Sequence, residues 1–250
     1  MKKIIGGLII SLGLSASLFA DTINIFAASS TKLAMEEIIK NFKTKNLNDD
    51  IIATYLGTGK GYAQFVNGFD YDIFISADTT YPNKIVSDGT AIGEPKVYAL
   101  GVLALFSNNK ELIKKGIESL KDEKVKYISI ANPKLAPYGV AAMEILENYD
   151  LKELVKDKIV LGDNIAQSIQ FVDSGAADIG LVAFSLIKNI KKQDEYLVID
   201  SSKYKQMEQS FVLTKYSRNK PLATKFASFI ISEEAKNIFD KYGFGIKWIN

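Results

Sequence analysis

The chain has 250 residues, 47% of them hydrophobic, and its 31 basic residues stand against 29 acidic ones with neither His nor Cys anywhere. Such a composition can bury the core of one large or two small domains, and it excludes disulfides, thiol chemistry, zinc–thiolate and imidazole metal sites, and a Ser-His-Asp triad. Without Lys2 and Lys3 the basic residues fall to 29 against 29 acidic, and Arg218 is the single arginine, so the clustered cationic face of a nucleic-acid binder is missing.

Lys2 and Lys3 open a short positive segment, residues 4–14 are apolar and rich in small side chains, and 15–20 reads as a cleavage region. That is the layout of a secretory signal peptide, and the apolar run is shorter than the roughly 20 residues a spanning helix needs. Residues 1–20 are therefore expected to be removed, with cleavage after Ala20. With no Cys to carry a lipid, the exported protein is expected to be untethered.

Beyond the leader, short apolar runs alternate with helical patterns. Residues 22–27 (TINIFA) read as a strand, followed by Ser29-Ser30-Thr31 as a helix-cap signal and a helix with Ala34, Met35, Ile38, Ile39 and Phe42 on one face. Residues 50–56 form the next strand, 57–61 a glycine-rich loop, and a helix starts near Tyr62. Strands follow at 72–76 (DIFIS) and along 97–106. The second half repeats the alternation: strand 127–131, a loop at 132–138 with two prolines, and helix 139–148. Strand 158–161 then leads through Asp163-Asn164 into helix 165–174, strands follow at 178–184 and 196–199, and after a strand at 211–214 the chain ends in helices 221–231 and 233–242. This order predicts an α/β fold with parallel sheets.

What stands between strand and helix is informative. Helix starts follow Ser29-Ser30, Thr58-Gly59, Pro137-Tyr138-Gly139 and Asp163-Asn164-Ile165. Helix N-termini leave N–H groups without partners at the positive end of the helix dipole, which suits anions without any Arg or Lys. Every α/β protein has such turns, however, and most bind nothing. Gly57-Thr58-Gly59-Lys60-Gly61 fails as a dinucleotide fingerprint, because Tyr62 occupies the sixth position, and as a phosphate loop, because Gly61 follows Gly59-Lys60. It remains either a simple tight turn or a bend whose amides and Thr58 hydroxyl approach a ligand closely. Asp72 and Asp78 are poorly placed on a strand to share a metal and are expected in structural or capping roles. Tyr138 stands out by its loop position.

Five segments carry a family resemblance: FAASSTKLAMEEI (26–38), DIFISAD (72–78), NPKLAPYGVAAMEIL (132–146), ADIGLVAFS (177–185) and EEAKNIFDKYGF (233–244). In this order and spacing the chain resembles the periplasmic molybdate-binding proteins of ABC transporters. The resemblance implies a two-lobed periplasmic-binding-protein fold of type II, each lobe a mostly parallel sheet flanked by helices, with the ligand in the cleft between them. It implies lobe 1 at 21–100 plus 206–250, lobe 2 at 101–205, and hinge strands near 101–103 and 202–211. It further implies a non-enzymatic periplasmic receptor, monomeric and without cofactor, that captures molybdate or tungstate and hands it to a membrane permease.

Carried over residue by residue, the resemblance assigns oxyanion binding to Ser29, Ser30 and Thr58 in the first lobe and to Tyr138 and Ile165 in the second. Hydroxyls and main-chain amides would be the donors, with no direct metal ligand. Some relatives place a ligand-contacting Tyr where this chain has Ala183, so Tyr138 is expected to supply that contact, by side chain or backbone. The alternatives are a receptor for sulfate, phosphate or another small anion on the same scaffold, a secreted Ser/Lys hydrolase, and an extracellular adhesion protein.

Overall fold

The computed structural model describes residues 21–246; the expected leader lies outside the described residues. In chain order the elements are β1 (Thr22–Ala28), α1 (Lys32–Thr44), β2 (Asp50–Leu56), α2 (Thr58–Val66), β3 (Ile73–Ile75), α3 (Thr80–Ser87), β4 (Ala91–Gly101) and β5 (Leu103–Phe106). They continue with α4 (Lys110–Lys114), β6 (Ile128–Ala131), α5 (Pro137–Asn148), α6 (Lys152–Val155), β7 (Ile159–Gly162), α7 (Ile165–Asp173), β8 (Ile179–Ala183), β9 (Tyr196–Val198), β10 (Met207–Thr214), α8 (Pro221–Ile230) and α9 (Glu233–Lys241).

The strands make two five-stranded sheets, ordered β2-β1-β3-β10-β4 and β7-β6-β8-β5-β9. In the first, β1 runs parallel to β2 and β3, whereas β10 is antiparallel to β3 and β4. In the second, β6 runs parallel to β7 and β8, whereas β5 is antiparallel to β8 and β9. The expected mostly parallel sheets are therefore mixed. The reason lies in the connections: the strands that arrive from the other sheet, β5 and β10, have no crossover helix before them and enter antiparallel.

The chain passes between the sheets twice, at Val102 between β4 and β5 and again between β9 and β10. The single strand expected at 97–106 is thus two strands that belong to different sheets. Gly101 stands at that crossing because a Cβ there would lie 2.7 Å from Met207 Cε, 2.8 Å from Gln209 Nε2 and 3.0 Å from the Tyr138 hydroxyl.

Both faces of the first sheet are covered, as its apolar strands predict. Ile23, Ile25 and Ala27 of β1 face α1, α8 and α9 through Met35, Ile38, Phe226 and Phe239. Phe26 faces the other way, with Phe65 of α2 and Ile85 of α3. A larger cluster built mainly on the second sheet also takes in Ala28 and Ala77 from the first half, so apolar packing continues between the halves.

The glycine-rich segment is not a loop before a helix at Tyr62; α2 begins at Thr58 and absorbs it. Gly61 explains why helix and strand can sit so close. A Cβ at Gly61 would stand 2.1 Å from Phe26 Cε2, and that ring stacks on Phe74 with centroids 4.4 Å apart. Alanine normally improves a helix interior by roughly 1 kcal/mol over glycine. Here Gly61→Ala should do the reverse, lowering stability by about 1–3 kcal/mol through overpacking, as read from the urea midpoint.

Candidate functional site

The five residues singled out by sequence meet around one space between the sheets. Ser29, Ser30, Thr58, Tyr138 and Ile165 all line one small cavity, with Ala28, Leu56, Gly57, Ala77 and Pro137 among its walls. Each of the five is at most 5% exposed. No lining residue carries a charge. The free space inside it is about 10 Å3, near the room a single water needs, so only a small group suits it and one larger than water must part the walls.

The first half contributes two chain ends. β1 runs into a single 3-10 turn at Ser29–Thr31 before α1, and neither that turn nor α1 has a side-chain cap. The Ser-Thr cluster therefore does not cap the helix as expected. Thr31 instead donates its hydroxyl to Ala28 C=O at 2.8 Å. The Ser30 hydroxyl is buried with no hydrogen bond of ordinary geometry, though it lies near enough to the Tyr138 phenol to act on it. A buried hydroxyl left in that state costs about 1–3 kcal/mol, and whereas Tyr55 and Ser129 share it elsewhere in the fold, Ser30 has it at the cavity wall. Thr58 accepts the Ala77 N–H at 3.3 Å with Oγ1, and its own proton is left to donate.

The second half contributes two more. Pro137 is the first residue of α5, where its missing N–H is harmless, and Tyr138 follows. At α7, Asn164 Oδ1 accepts the N–H groups of Ala166 and Gln167, at 2.9 and 3.1 Å, which leaves the amide of Ile165 outside that cap. β1, β2, β6 and β7 thus all deliver their C-terminal ends to the cavity, the place where open α/β sheets generally bind ligands.

Tyr138 does more than line a wall. Its hydroxyl accepts a hydrogen bond from Gln209 Nε2 at 3.0 Å, while Gln209 Oε1 accepts from Tyr98 at 2.9 Å and Tyr98 also lies 2.9 Å from Ser76 C=O. Gln209 sits where β10 slips in register against β4, and such irregularities re-aim side chains. Burial pushes the Tyr138 phenol above its ordinary pKa, and the Gln209 hydrogen bond, with smaller help from the Ser30 and Ser185 hydroxyls, opposes that only in part. Ser185, just beyond β8, donates to Ser30 C=O at 2.8 Å and ties the second half to the first. Sequence reading missed Gln209 and Ser185. Gln209 belongs to no motif, Ser185 closes the ADIGLVAFS segment without a role being assigned to it, and only the fold brings them within reach.

Asp72 and Asp78 take structural roles. Asp72 is fully buried, accepts the Asn24 N–H at 2.8 Å and pairs with Lys220 at 2.9 Å. Asp78 accepts the Ser76 hydroxyl at 2.7 Å and the Tyr81 N–H at 3.3 Å at the start of α3, and burial raises its pKa. No group of three or more acidic side chains stands together as a metal cage among the described residues.

A family model described as bacterial extracellular solute-binding protein matches residues 23–245. The molybdate-binding protein ModA of Azotobacter vinelandii is 31% identical over 246 residues, covering 96% of this chain and 97% of its own. The chain belongs to the bacterial extracellular solute-binding proteins, in the ModA family. The Rhodobacter capsulatus ModA is likewise 31% identical, over 95% of this chain and 92% of its own. The solved structure of the A. vinelandii periplasmic molybdate-binding protein matches with a TM-score of 0.84 at 29% identity, over 90% of this chain and 99% of that one. As a solute-binding protein of a periplasmic family the molecule is a receptor rather than an enzyme, which removes the hydrolase reading.

The Tyr138–Gln209 contact makes a separate claim on stability. Tyr138→Phe strands the Gln209 amide in a buried site, so the ligand-free protein should lose about 1–3 kcal/mol in denaturant unfolding. Gln209→Leu alongside Tyr138→Phe should recover part of that loss, because no buried donor is then left alone.

Proposed function

We propose that the cavity between the sheets holds molybdate or tungstate and that the protein delivers the oxyanion to the membrane permease of an ABC importer, acting in the periplasm as a monomer once its leader is removed. Ser29, Ser30 and Thr58 would donate from one side, and the amides of Tyr138 and Ile165 from the other. The observation that carries this reading is the Ser30 hydroxyl, buried without a hydrogen bond of ordinary geometry in a small cavity that no charged side chain lines. The named ligand of the ModA relatives, molybdate, fits the same chemistry.

A dianion in such a place exchanges its water for neutral donors, each hydrogen bond strengthened by the charge it meets. No carboxylate lines the cavity, so a protonated oxyanion such as hydrogen phosphate finds no charged acceptor for its proton. Sulfate is fully ionised and smaller, and it would be held less well because it cannot reach every donor at once. We take the lobes as 21–100 with the segment from 206 onward, and 101–205. They would hinge where the chain crosses between the sheets and close on the ligand.

Titration calorimetry with molybdate, tungstate, sulfate and phosphate tests the reading. Molybdate and tungstate should bind one per protein, well ahead of sulfate and phosphate. Ser30→Ala and Thr58→Ala should each weaken binding by about 1.5–3 kcal/mol. Absence of molybdate and tungstate binding, or an undiminished affinity in the double variant, would refute it.

The pH profile offers an independent check. The one titratable side chain at the cavity is Tyr138, whose phenol burial holds protonated beyond the usual tyrosine range. Molybdate affinity should therefore stay flat from pH 6 to pH 9, whereas a site built on a titrating cation would weaken across that interval.

A further inference from the structure

The halves also meet outside the cavity, on its rim. The Gly59 N–H donates to Leu135 C=O at 2.9 Å, and Lys60 Nζ lies 2.6 Å from Asp163 Oδ2. Both partners belong to the second half and sit in the turns that lead to α5 and α7. Those turns carry Tyr138 and Ile165 into the cavity.

Gly57, just before α2, is the informative residue. Its backbone angles are φ −63° and ψ 141°, which any L-residue adopts without strain. The conformation therefore does not call for glycine. A Cβ at this position would lie 3.0 Å from Asp163 C=O, 3.0 Å from Leu135 C=O and 3.6 Å from Asn164 Cβ. All three atoms belong to the opposite half, and none to the half that carries Gly57. The missing side chain makes room for the other lobe.

We propose that Gly57, at the cavity's edge, with Gly59 and Lys60 on the rim, forms a closure latch that sets how long the bound anion stays. This rests on the receptor reading of the cavity. Latch contacts form only when the halves are together, so they add to the closed state and leave the open one untouched. Removing them speeds release far more than it slows capture. The two components differ in weight. The Lys60–Asp163 pair is 39% and 58% exposed, so water and salt screen it and it contributes at most a several-fold factor. The fit of Gly57 against two backbone carbonyls has no flexible side chain to yield, and it contributes more.

The test measures release of radiolabelled molybdate into excess unlabelled molybdate, beside calorimetric affinity and the ligand-free melting temperature. Gly57→Ala should raise Kd about ten-fold or more, mostly through faster release, with unchanged ligand-free melting. Asp163→Asn and Lys60→Met should each release about two- to five-fold faster, their combination no faster than either alone. High salt should erase the difference between Asp163→Asn and wild type. Wild-type release rates in Gly57→Ala, with the unaltered protein binding normally, would overturn the latch. A ligand-free melt several degrees lower would overturn it too, by showing that Gly57 matters to folding rather than to closure. If the unaltered protein binds neither molybdate nor tungstate, the receptor reading falls, and the latch with it.

Discussion

Helix N-termini are under an obligation that the rest of their helix escapes, since their first N–H groups point out of the helix with no carbonyl to meet. In this molecule two turns that open helices in one half face two in the other, and the space between them contains no charged side chain. Much of the architecture follows from bringing them together. Parallel pairs β1–β2 and β6–β7 send their C-terminal ends toward the same place, and each sheet then closes with antiparallel strands. The two sheets are built to the same plan, so one solution to the problem of a partnerless helix start is used twice, face to face.

Placement of the cavity next to the crossing strands depends on a second, fully buried polar chain. Tyr138 reaches from the cavity wall to Gln209 on β10, and Gln209 passes the link to Tyr98 on β4. Burial pushes both phenols above their ordinary pKa, so the chain stays uncharged and its hydrogen bonds do not change with pH in the physiological range. A network of this kind is worth having only when every member is satisfied, because a half-satisfied one is worse than an apolar core. Gly101 is part of the same design, its absent side chain leaving room for the Tyr138 hydroxyl and the Gln209 amide. The wall of the site and the joint between the halves are thus one piece of structure.

Much of this was legible in the sequence, for specific reasons. Residues 50–56 were read to the residue as a strand, because β-branched and apolar side chains end abruptly at Gly57. The five cavity residues came from the family resemblance rather than periodicity, Thr58 and Ile165 lying outside the five matching segments, and the structure gathers all five around one cavity. The misreadings have physical causes as well. Gly57–Gly61 looks like a loop because glycine disfavours helices, yet close packing on Phe26 is what excludes a larger residue at Gly61. The 97–106 run looks like one strand because apolar content does not register a change of sheet. Ser29 and Ser30 look like caps because capping is the common use of serine before a helix, and here neither caps while both line the cavity. Gln209 and Ser185 were invisible because a long-range hydrogen bond leaves no local signature.

Neutral donors also bear on how closure and capture are coupled in the proposed receptor. A lysine or arginine in the cavity would bind a dianion strongly but would be a stranded charge whenever the halves met over nothing, and a buried unpaired charge costs several kcal/mol. Hydroxyls and amides escape that charge penalty, and water serves them, as it would a lysine, while the cleft is open. Closing over an empty cavity still strands them, at about 1–3 kcal/mol for each group. With several such groups the empty closed form is disfavoured enough to be rare, and the ligand supplies what closure lacks. The charged pair, Lys60 with Asp163, stands on the rim, where solvent reaches both side chains even with the halves together. Charge is thus kept where motion exposes it harmlessly, and uncharged donors are kept where motion must be made conditional on the guest.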